Sequence, residues 1–280
     1  MKVISSAAAM RRLAEELRRQ GRVGFVPTMG ALHEGHLSLV RLCRRHSDSV
    51  VVSVFVNPTQ FGPGEDLARY PRPFARDSRL LRKEGVDAVF HPDARTMYPP
   101  GAATWVTVEG LTEGLCGRFR PGHFRGVTTV VAKLFNVVRP DVAVFGQKDI
   151  QQALVIQRMT RDLAFGTKIV LAPTVREPDG LAMSSRNAYL SPVDREQAPV
   201  LYQALRHARK MVRSGERSTA KVRREMLAMI RARSSGRVQY AEIVDAEDLK
   251  PTKRIEGRVV IALAAYFGRT RLIDNIVLSV

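Results

Sequence analysis

Hydrophobic and polar residues alternate along the first two-thirds of the chain in a pattern that predicts strands separated by helices. The clearest strand covers residues 50–56, where an almost continuous β-branched run is typical of a parallel strand covered on both faces. Residues 23–26 predict another buried strand, which Pro27 is expected to end. The other elements predicted here are a helix between the capping residues Ser5 or Ser6 and Gly21, a helix from Gly35 or His36, helices over 74–84, 127–138 and 149–163, and strands over 86–90, 142–145 and 168–171.

The pattern changes near residue 175, where two long helices precede a group of strands. The predicted elements are helices over 194–213 and 219–233, and strands over 238–244, 259–266 and 272–278. Strands that alternate with helices indicate a parallel sheet, whereas helices followed by adjacent strands indicate an α+β unit. The predicted fold class is therefore α/β, with a Rossmann-like, doubly wound parallel sheet in residues 1–174 and a smaller C-terminal α+β lid domain in residues 175–280.

Polar loops follow three of the predicted strands, after Val26, after Val56 and after Phe145. In open α/β sheets, ligands bind outside the carboxyl ends of the strands. The sequence therefore predicts a site at this edge of the sheet, in a cleft between the two predicted domains.

Composition indicates a globular protein. Hydrophobic residues make up 45% of the chain and charged residues 26%. No apolar run approaches the ~20 residues of a membrane span, and the N-terminus lacks the order of a secretory signal. The two cysteines, Cys43 and Cys116, are too few for a disulfide framework. We therefore expect a cytoplasmic protein without a membrane partner.

The net charge of +18 attracts polyanions in general, including nucleic acids and nucleoside triphosphates. Arginines are spread along the whole chain instead of being gathered in one tail. Solvated helix faces explain that distribution more simply than dedicated nucleic-acid binding does. Charge alone does not decide the function.

The strongest local feature is the segment 27–36, Pro-Thr-Met-Gly-Ala-Leu-His-Glu-Gly-His, which follows a predicted strand and opens a predicted helix. Its glycines let the backbone approach a ligand closely, and free N–H groups at the helix start attract an anion. His33 and His36 lie on one side of the first turn, where they suit charge that develops on a phosphate. Two alternatives stay open: ordinary loop histidines, or zinc ligands, although no further Cys/His pair has ligand spacing.

Two further segments offer phosphate-binding groups. Residues 146–149, Gly-Gln-Lys-Asp, join a strand to a helix, so Lys148 can reach phosphate oxygens while Asp149 either caps the helix or accepts from a ribose hydroxyl. Residues 183–187, Met-Ser-Ser-Arg-Asn, offer two hydroxyls and a guanidinium to a triphosphate, although a simple capped turn also explains them. Neutral hydrogen-bonding groups near the predicted strand ends come from Asn57, Gln60, Tyr70, Gln151 and Gln152.

Several well-known signatures are missing from the sequence. It contains no Walker Gly-x-x-x-x-Gly-Lys-Ser/Thr segment, no Gly-x-Gly-x-x-Gly after the first strand and no serine-hydrolase elbow. These absences argue against a P-loop kinase, a dinucleotide dehydrogenase and a serine hydrolase. The remaining hypothesis is a nucleotide held at strand ends by histidines, a lysine and a Ser-Arg loop.

In this combination the sequence resembles the pantothenate synthetase family of the nucleotidyltransferase superfamily. Residues 27–36 are similar to the segment with the His-x-Gly-His-type signature of that superfamily, in the form that the family uses. The other matching segments are 55–61 (Phe-Val-Asn-Pro-Thr-Gln-Phe), 120–124 (Arg-Pro-Gly-His-Phe), 145–149 with Gln151 and Gln152, 183–187, and 270–275 (Thr-Arg-Leu-Ile-Asp-Asn). They follow the family's order from residue 27 to the C-terminus, and this collinearity is more specific than any single motif.

The resemblance implies an AMP-forming ligase that uses ATP with Mg²⁺ and has no prosthetic group. In the implied reaction, the carboxylate of (R)-pantoate attacks the α-phosphate of ATP, which gives pantoyl adenylate and pyrophosphate. The amine of β-alanine then attacks the acyl carbon, which gives pantothenate and AMP. The resemblance also implies a homodimer that forms through the first domain.

Site residues follow from the same resemblance, with His36, His33 and Lys148 as the catalytic set. The residues expected around ATP are Met29, Gly30, Ala31, Leu32, His33, Glu34, Gly35, His36, Gly146, Gln147, Lys148, Asp149, Val175, Met183, Ser184, Ser185 and Arg186. Those expected to hold pantoate and β-alanine are Gln60, Gln152, Asn57, Tyr70 and His123. The family assigns His36 as a proton donor, but a carboxylate nucleophile has no proton to lose, so stabilisation of phosphate charge is the more economical role.

The sequence departs from the family in places. Gln147 stands where the family commonly has Glu, and carboxylates near Asp77 are sparser, which leaves the metal ligands unassigned. One rival hypothesis is another adenylyltransferase of the superfamily that acts on a phosphorylated substrate, but the neutral amides of the predicted site favour a small hydroxy acid. The other rival is a basic nucleic-acid-binding protein, which leaves the strand-end motifs unexplained.

Overall fold

The computed structural model describes residues 1–280 and consists of two β-sheets with helices packed against them. The strands are β1 (Lys2–Ile4), β2 (Val23–Thr28), β3 (Ser49–Val54), β4 (Ala88–Phe90), β5 (Val142–Gly146), β6 (Lys168–Ala172), β7 (Arg237–Asp245), β8 (Arg258–Phe267) and β9 (Thr270–Ser279). The helices are α1 (Ala7–Gln20), α2 (Glu34–Arg44), α3 (Phe74–Lys83), α4 (Ala94–Met97), α5 (Leu115–Phe119), α6 (His123–Val138), α7 (Ile150–Asp162), α8 (Pro192–Gln197), α9 (Val200–Arg213) and α10 (Thr219–Arg233). No helix of the structure is both long enough and apolar enough to cross a membrane.

The larger sheet is parallel throughout, with the strand order β1-β4-β3-β2-β5-β6. From β2 the chain moves outward through β3 and β4, and later it places β5 and β6 on the other side of β2. The order therefore reverses between β2 and β5, which pair through Gly24 with Val142 and Phe25 with Ala143. Such a reversal opens a crevice at the carboxyl ends of the two strands. The predicted doubly wound parallel sheet is confirmed.

Helices cover both faces of this sheet, which explains why its strands are so apolar. All six residues of β3 are buried. Because side chains alternate along a strand, Val51 packs with Phe25 and Phe135 on the face covered by α1 and α6. Val50 and Val52 pack on the opposite face, which α2 and α3 cover. The continuous β-branched run of β3 is thus a consequence of burial on both sides.

The smaller sheet is antiparallel, in the order β7-β8-β9. On one face, Ile261 and Leu263 of β8 pack with residues of α9 and α10. On the other face, Val260 and Ala262 pack with Ile150 of α7. The small sheet is therefore held between its own helices and apolar residues of α5, α6 and α7, which brings β8 and β9 close to the carboxyl ends of the large sheet.

Several predicted boundaries are wrong. The helix predicted over 127–138 begins at His123, and the strand predicted over 50–56 covers Ser49–Val54. Proline is involved in two other cases. The predicted helix 194–213 is broken into α8 and α9, because Pro199 has no N–H to donate and its ring clashes with the preceding turn. In contrast, Pro27 does not end β2, which continues to Thr28. On the β5 side, β2 pairs only through Gly24 and Phe25, so Pro27 has no strand neighbour there to which it would donate. The short elements β1, α4 and α5 were not predicted.

Candidate active site

A cleft opens at the carboxyl ends of β2 and β5 and contains two adjoining chambers. The sheet chamber has a volume of about 230 Å³ and is lined by residues that include Met29, His33, His36, Gln60 and Tyr70. The outer chamber has a volume of about 590 Å³ and extends toward Tyr240, Tyr266 and Arg271 of the smaller sheet. The two chambers share the lining residues Arg120, His123, Lys148, Asp149, Gln152, Ser184 and Arg186.

Most of the predicted site residues meet in the sheet chamber, although they come from distant parts of the chain. The predicted nucleotide contacts that line it are Met29, His33, Gly35, His36, Gly146, Lys148, Asp149, Val175, Met183, Ser184, Ser185 and Arg186. The predicted substrate contacts that line it are Asn57, Gln60, Tyr70, His123 and Gln152. Five predicted residues do not line it, namely Gly30, Ala31, Leu32, Glu34 and Gln147.

Three predicted residues of the segment that leads into α2 have other surroundings than the sheet chamber. Ala31 and Leu32 are buried, and their N–H groups donate to the two carboxylate oxygens of Asp77 at 2.8 and 2.9 Å. Glu34 lies on the surface and pairs with Arg41. Asp77 is 1% exposed, so its carboxylate holds the loop and does not face the chamber. The sequence alone distinguishes Asp77 only as part of a stretch with few carboxylates, and it does not predict this contact with the loop.

The two histidines cap α2 through their ring nitrogens. The N–H of Gly35 donates to Nδ1 of His33 at 3.1 Å, and the N–H of His33 donates to Nδ1 of His36 at 3.3 Å. An Nδ1 atom that accepts a hydrogen bond carries no proton in the neutral ring, so the proton of each ring is on Nε2. Both side chains line the sheet chamber, where each Nε2–H can serve as a donor.

Burial keeps these imidazoles neutral. It lowers the pKa of His33 to about 4, with the nearby positive charges of Lys148 and Arg76 adding to the effect. Burial also lowers the pKa of His36 to about 3, helped by His33 and Lys148. At neutral pH the pair therefore offers hydrogen-bond donors without positive charge, and the positive charge beside it comes from Lys148.

The side chain of Asn57 is hydrogen-bonded on both its oxygen and its nitrogen. Its side-chain oxygen accepts from the hydroxyls of Thr59 and Tyr98 at 3.0 and 2.9 Å. Its amide nitrogen donates to Oε1 of Gln60 at 3.2 Å and to the carbonyl of Gly126 at 3.1 Å. Since both amide hydrogens are used and the residue is 1% exposed, Asn57 has no donor left for a substrate. It instead orients the amide of Gln60, whose Nε2 keeps a hydrogen for a substrate.

The ring nitrogens of His123 are likewise both hydrogen-bonded within the protein. Its Nε2 accepts from the guanidinium of Arg120 at 3.0 Å, so the ring proton is on Nδ1, which donates to the carbonyl of Gln60 at 2.8 Å. Burial lowers the pKa of His123 to about 4, and the charge of Arg120 acts in the same direction. Both ring nitrogens are occupied, so the predicted contact between His123 and a substrate has no free polar atom in this structure.

The Gly146–Asp149 turn carries Lys148 into both chambers. The side chain of Asn275 on β9 holds this turn, because its amide donates to the carbonyls of Gln147 and Lys148 at 3.0 and 2.9 Å. The Nζ of Lys148 lies 3.9 Å from a carboxylate oxygen of Asp149. Gln147 faces a separate cavity on the other side of the turn, which explains its absence from the sheet chamber.

A loop over residues 61–70, here called the strap, crosses the mouth of the cleft. Asp66 accepts two hydrogen bonds from the guanidinium of Arg186 at 3.0 and 2.8 Å, and Glu65 accepts two from Arg120 at 2.7 and 2.6 Å. The hydroxyl of Tyr70 lies 3.4 Å from that of Ser185. Arg186, predicted as a phosphate contact, is thus paired with a carboxylate here. Neither strap carboxylate was predicted, and both stand among polar loop residues that form no motif.

The metal alternatives can be tested against the donor groups. No group of three or more His, Cys, Asp or Glu side chains is arranged to hold a metal ion, so His33 and His36 lack the further ligands that a zinc site requires. Asp149 is the one carboxylate that lines the sheet chamber. Magnesium is usually held by one or two carboxylates together with substrate phosphates, so this donor set fits an ion that arrives with a nucleotide.

The whole chain matches a known protein family. The family model described as pantoate-beta-alanine ligase matches residues 2–277. The pantothenate synthetase of Moorella thermoacetica is 57% identical to this chain over 281 residues, which cover 100% of this chain and 99% of the relative. The relationship is therefore not confined to the motifs around the cleft.

Two solved structures share the fold along its full length. The crystal structure of pantothenate synthetase from Thermus thermophilus has a TM-score of 0.94 and 51% identity, and the match covers 99% of each chain. The crystal structure of pantoate-beta-alanine ligase from Francisella tularensis, complexed with beta-gamma ATP and beta-alanine, has a TM-score of 0.81 and 33% identity. That match covers 99% of this chain and 97% of the other. Both sheets are thus part of the shared fold.

Proposed function

The chain belongs to the pantoate–β-alanine ligase family, and on that premise we propose that its cleft joins (R)-pantoate to β-alanine. The reaction uses ATP and yields pantothenate, AMP and pyrophosphate through a pantoyl adenylate. The observation that carries the proposal is the meeting of His33, His36 and Lys148 at the β2/β5 reversal, beside the amides of Gln60 and Gln152. The first group suits a triphosphate, and the second suits a small neutral-to-acidic substrate without a phosphate.

In the first step, a carboxylate oxygen of pantoate forms a bond to the α-phosphorus and the bond from that phosphorus to pyrophosphate breaks. No proton moves, so no acid or base is needed. Negative charge grows on the bridging and pyrophosphate oxygens, and the Nε2–H groups of His33 and His36 together with Lys148 stabilise it. Donors aimed at charge that develops in the transition state contribute more than donors aimed at the ground state.

In the second step, the amine of β-alanine forms a bond to the acyl carbon and the bond from that carbon to the AMP oxygen breaks. The nitrogen loses a proton, and we assign its release to solvent through the outer chamber. His123 is hydrogen-bonded to the carbonyl of Gln60, but both of its nitrogens already have partners, so it is not the acceptor in this arrangement. Gln60 and Gln152 hold the pantoyl group in place during both steps.

Four further properties belong to the proposal. Mg²⁺ bound with ATP would neutralise phosphate charge, with Asp149 as the carboxylate placed to hold it. Residues 175–280 act as a lid, since Ser184 and Arg186 reach the cleft from that part of the chain. The protein is cytoplasmic, in keeping with its two free, buried cysteines. It forms a homodimer through its first 174 residues, where the exposed Trp105 lies on a stretch that joins neither sheet.

The experiment that tests the function measures pyrophosphate release from ATP and Mg²⁺, with pantoate and with or without β-alanine. We expect release to require pantoate, and we expect AMP and pantothenate to appear once β-alanine is added. If no pantoate concentration supports release, the proposed substrate is wrong, and phosphorylated acceptors of related adenylyltransferases should be tested next.

A further inference from the structure

A third cavity, here called the rear cavity, lies behind the turn that carries Lys148. Its volume is about 260 Å³; it shares Pro173 and Thr174 with the sheet chamber and Asn275 with the outer chamber, whereas Gln147, Arg209 and Arg213 line it alone. Its lining includes Gln147 of the turn, Thr174 after β6, Arg209 and Arg213 on α9, and Asn275 on β9. Distant parts of the chain thus meet there.

The rear cavity is strongly basic. Arg209 and Arg213 are four residues apart on α9, so they lie one turn apart on the same side of the helix, and neither forms an ion pair or a side-chain hydrogen bond. A third arginine in the lining, Arg176, is held by the carboxylate of Asp274 at 2.6 and 2.9 Å. No carboxylate lines the cavity. Two guanidinium groups therefore face it without a counter-charge.

Unpartnered polar atoms are concentrated around the same cavity. Only six buried side-chain polar atoms in the protein lack a hydrogen-bond partner, and three belong to residues of this lining: Oγ1 of Thr174, Nε of Arg209 and Oδ1 of Asn275. Thr174 and Asn275 stand in the walls shared with the cleft, whereas Arg209 lines the rear cavity alone. Asn275 is 2% exposed. Almost all buried polar groups in proteins are paired with protein, water or a ligand. These three atoms are a hydroxyl, an N–H donor and a carbonyl acceptor. A ligand that both accepts and donates hydrogen bonds would satisfy all of them.

From this geometry we propose that the rear cavity binds a small tetrahedral oxyanion of the phosphate type. Its charged oxygens accept from Arg209, Arg213 and the hydroxyl of Thr174, and the O–H of a monoprotonated phosphate donates to Asn275. The cavity is several times larger than the share of one water molecule in the liquid, about 30 Å³, so the anion fits with part of its hydration. This site lies on the Gln147 side of the turn, across a wall that it shares with the cleft, and it does not rest on the proposed function.

The position of the rear cavity connects it to the turn. Asn275 holds the carbonyls of both Gln147 and Lys148, and Gln147 contributes a neutral amide to the lining. A neutral amide tolerates an anion, whereas a carboxylate at the same place would repel it. The bound anion therefore stabilises the turn on its Gln147 side, and the opposite side of the same turn presents Lys148 to the cleft.

The test is thermal unfolding of the full-length protein at increasing concentrations of inorganic phosphate, with chloride keeping the ionic strength constant. A ligand that binds only the folded state raises the Tm. We expect the rise in the wild type and in Lys148→Ala, and we expect it to be lost in the double variant Arg209→Ala/Arg213→Ala and in Gln147→Glu. Arg206→Ala is the matched control, because Arg206 is exposed on the same helix outside the cavity, and it should keep the rise.

Two outcomes would overturn the proposal. If Lys148→Ala loses the rise while the arginine variant keeps it, phosphate binds in the catalytic cleft. If the Tm of the wild type and of every variant rises by the same amount, the effect is the general stabilisation that phosphate salts give to folded proteins. Should the double variant fail to fold, Gln147→Glu still decides the question, because it changes the charge of one lining group and removes no arginine.

Discussion

At the level of single residues, His33 and His36 cap a helix and also present hydrogen-bond donors to the cleft. The Nδ1 atoms of His33 and His36 accept backbone N–H groups at the start of α2, which leaves both protons on Nε2. A helix start has free N–H groups that need such partners. The cap therefore sets the tautomer, and the tautomer provides two neutral donors in the cleft.

The first prediction concerns the titration of this pair. Burial lowers the pKa of His33 to about 4 and that of His36 to about 3, from an ordinary value of 6.5. A depressed folded-state pKa contributes stability that is present in full above pH 6.5 and is lost as the pH falls toward 4 and 3. An NMR titration of the ligand-free protein should show both rings neutral at about pH 6, and the free energy of unfolding should drop below that pH. Midpoints near the ordinary value would contradict the assignment.

The second prediction concerns Lys148, the cation beside the neutral pair. Lys148→Ala should reduce pantoate-dependent pyrophosphate release by roughly 100-fold or more, since losing one group that stabilises transition-state charge typically costs that much. The circular dichroism spectrum and the Tm should change little. Lys83→Ala is the matched control, because Lys83 is an exposed lysine at the end of α3 and lines neither chamber of the cleft. Unchanged release would show that Lys148 does not contact the reacting phosphates.

At the scale of elements, the strap decides which charges in the cleft are free. Asp66 occupies the guanidinium of Arg186 with two hydrogen bonds, and that pair joins the parallel-sheet part of the chain to the segment after residue 175. A planar guanidinium binds carboxylate and phosphate in the same paired fashion. A triphosphate that approaches Arg186 must therefore compete with Asp66.

The third prediction follows from this competition. Asp66→Asn should free Arg186 and lower the Kd for ATP a few-fold, because the phosphate then displaces no carboxylate. Isothermal titration calorimetry without pantoate measures the change, and Arg186→Ala should weaken ATP binding in the same assay. Weaker binding in Asp66→Asn would mean that the strap contributes more by closing the cleft than it costs by occupying Arg186.

At the scale of the whole molecule, the exposed surface carries a candidate contact for a second copy. Trp105 is 43% exposed and lies on a stretch that belongs to neither sheet, where its ring stacks near Tyr98 and under the guanidinium of Arg125. Neighbouring Val106 and Val108 pack against the core of the large sheet, so this stretch is held in place. Fixed, exposed aromatic residues are common at interfaces between subunits.

The fourth prediction is therefore about association. Sedimentation equilibrium should give twice the mass of one chain for the wild type, and Trp105→Glu should shift the equilibrium toward a single chain. Leu163→Glu is the matched control, because Leu163 is a second exposed apolar residue at the end of α7, 51% exposed. If Leu163→Glu dissociates the protein and Trp105→Glu does not, the interface lies elsewhere.

Much of this architecture follows from local signals in the sequence. The apolar run of β3, the Ser6 cap of α1 and the polar loops after β2 and β5 each depend on neighbours within a few residues, so they predict elements and the edge of the sheet that binds a ligand. The collinear motifs predicted the family, which the match over residues 2–277 confirms. Local patterns carry this information because strand and helix periods are properties of short segments.

Hydrogen-bond partners across the fold were decided only by tertiary structure. Asn57 and His123 look like substrate ligands in the sequence, but other side chains and backbone groups occupy their polar atoms. Tertiary structure also decides which way the residues of the Gly146–Asp149 turn face: Lys148 lines the cleft, and Gln147 lines the rear cavity. Pairing depends on the three-dimensional arrangement of groups that are distant in the chain, such as Asn275 and Gln147, which lie 128 positions apart, and no local pattern records which atom is already occupied.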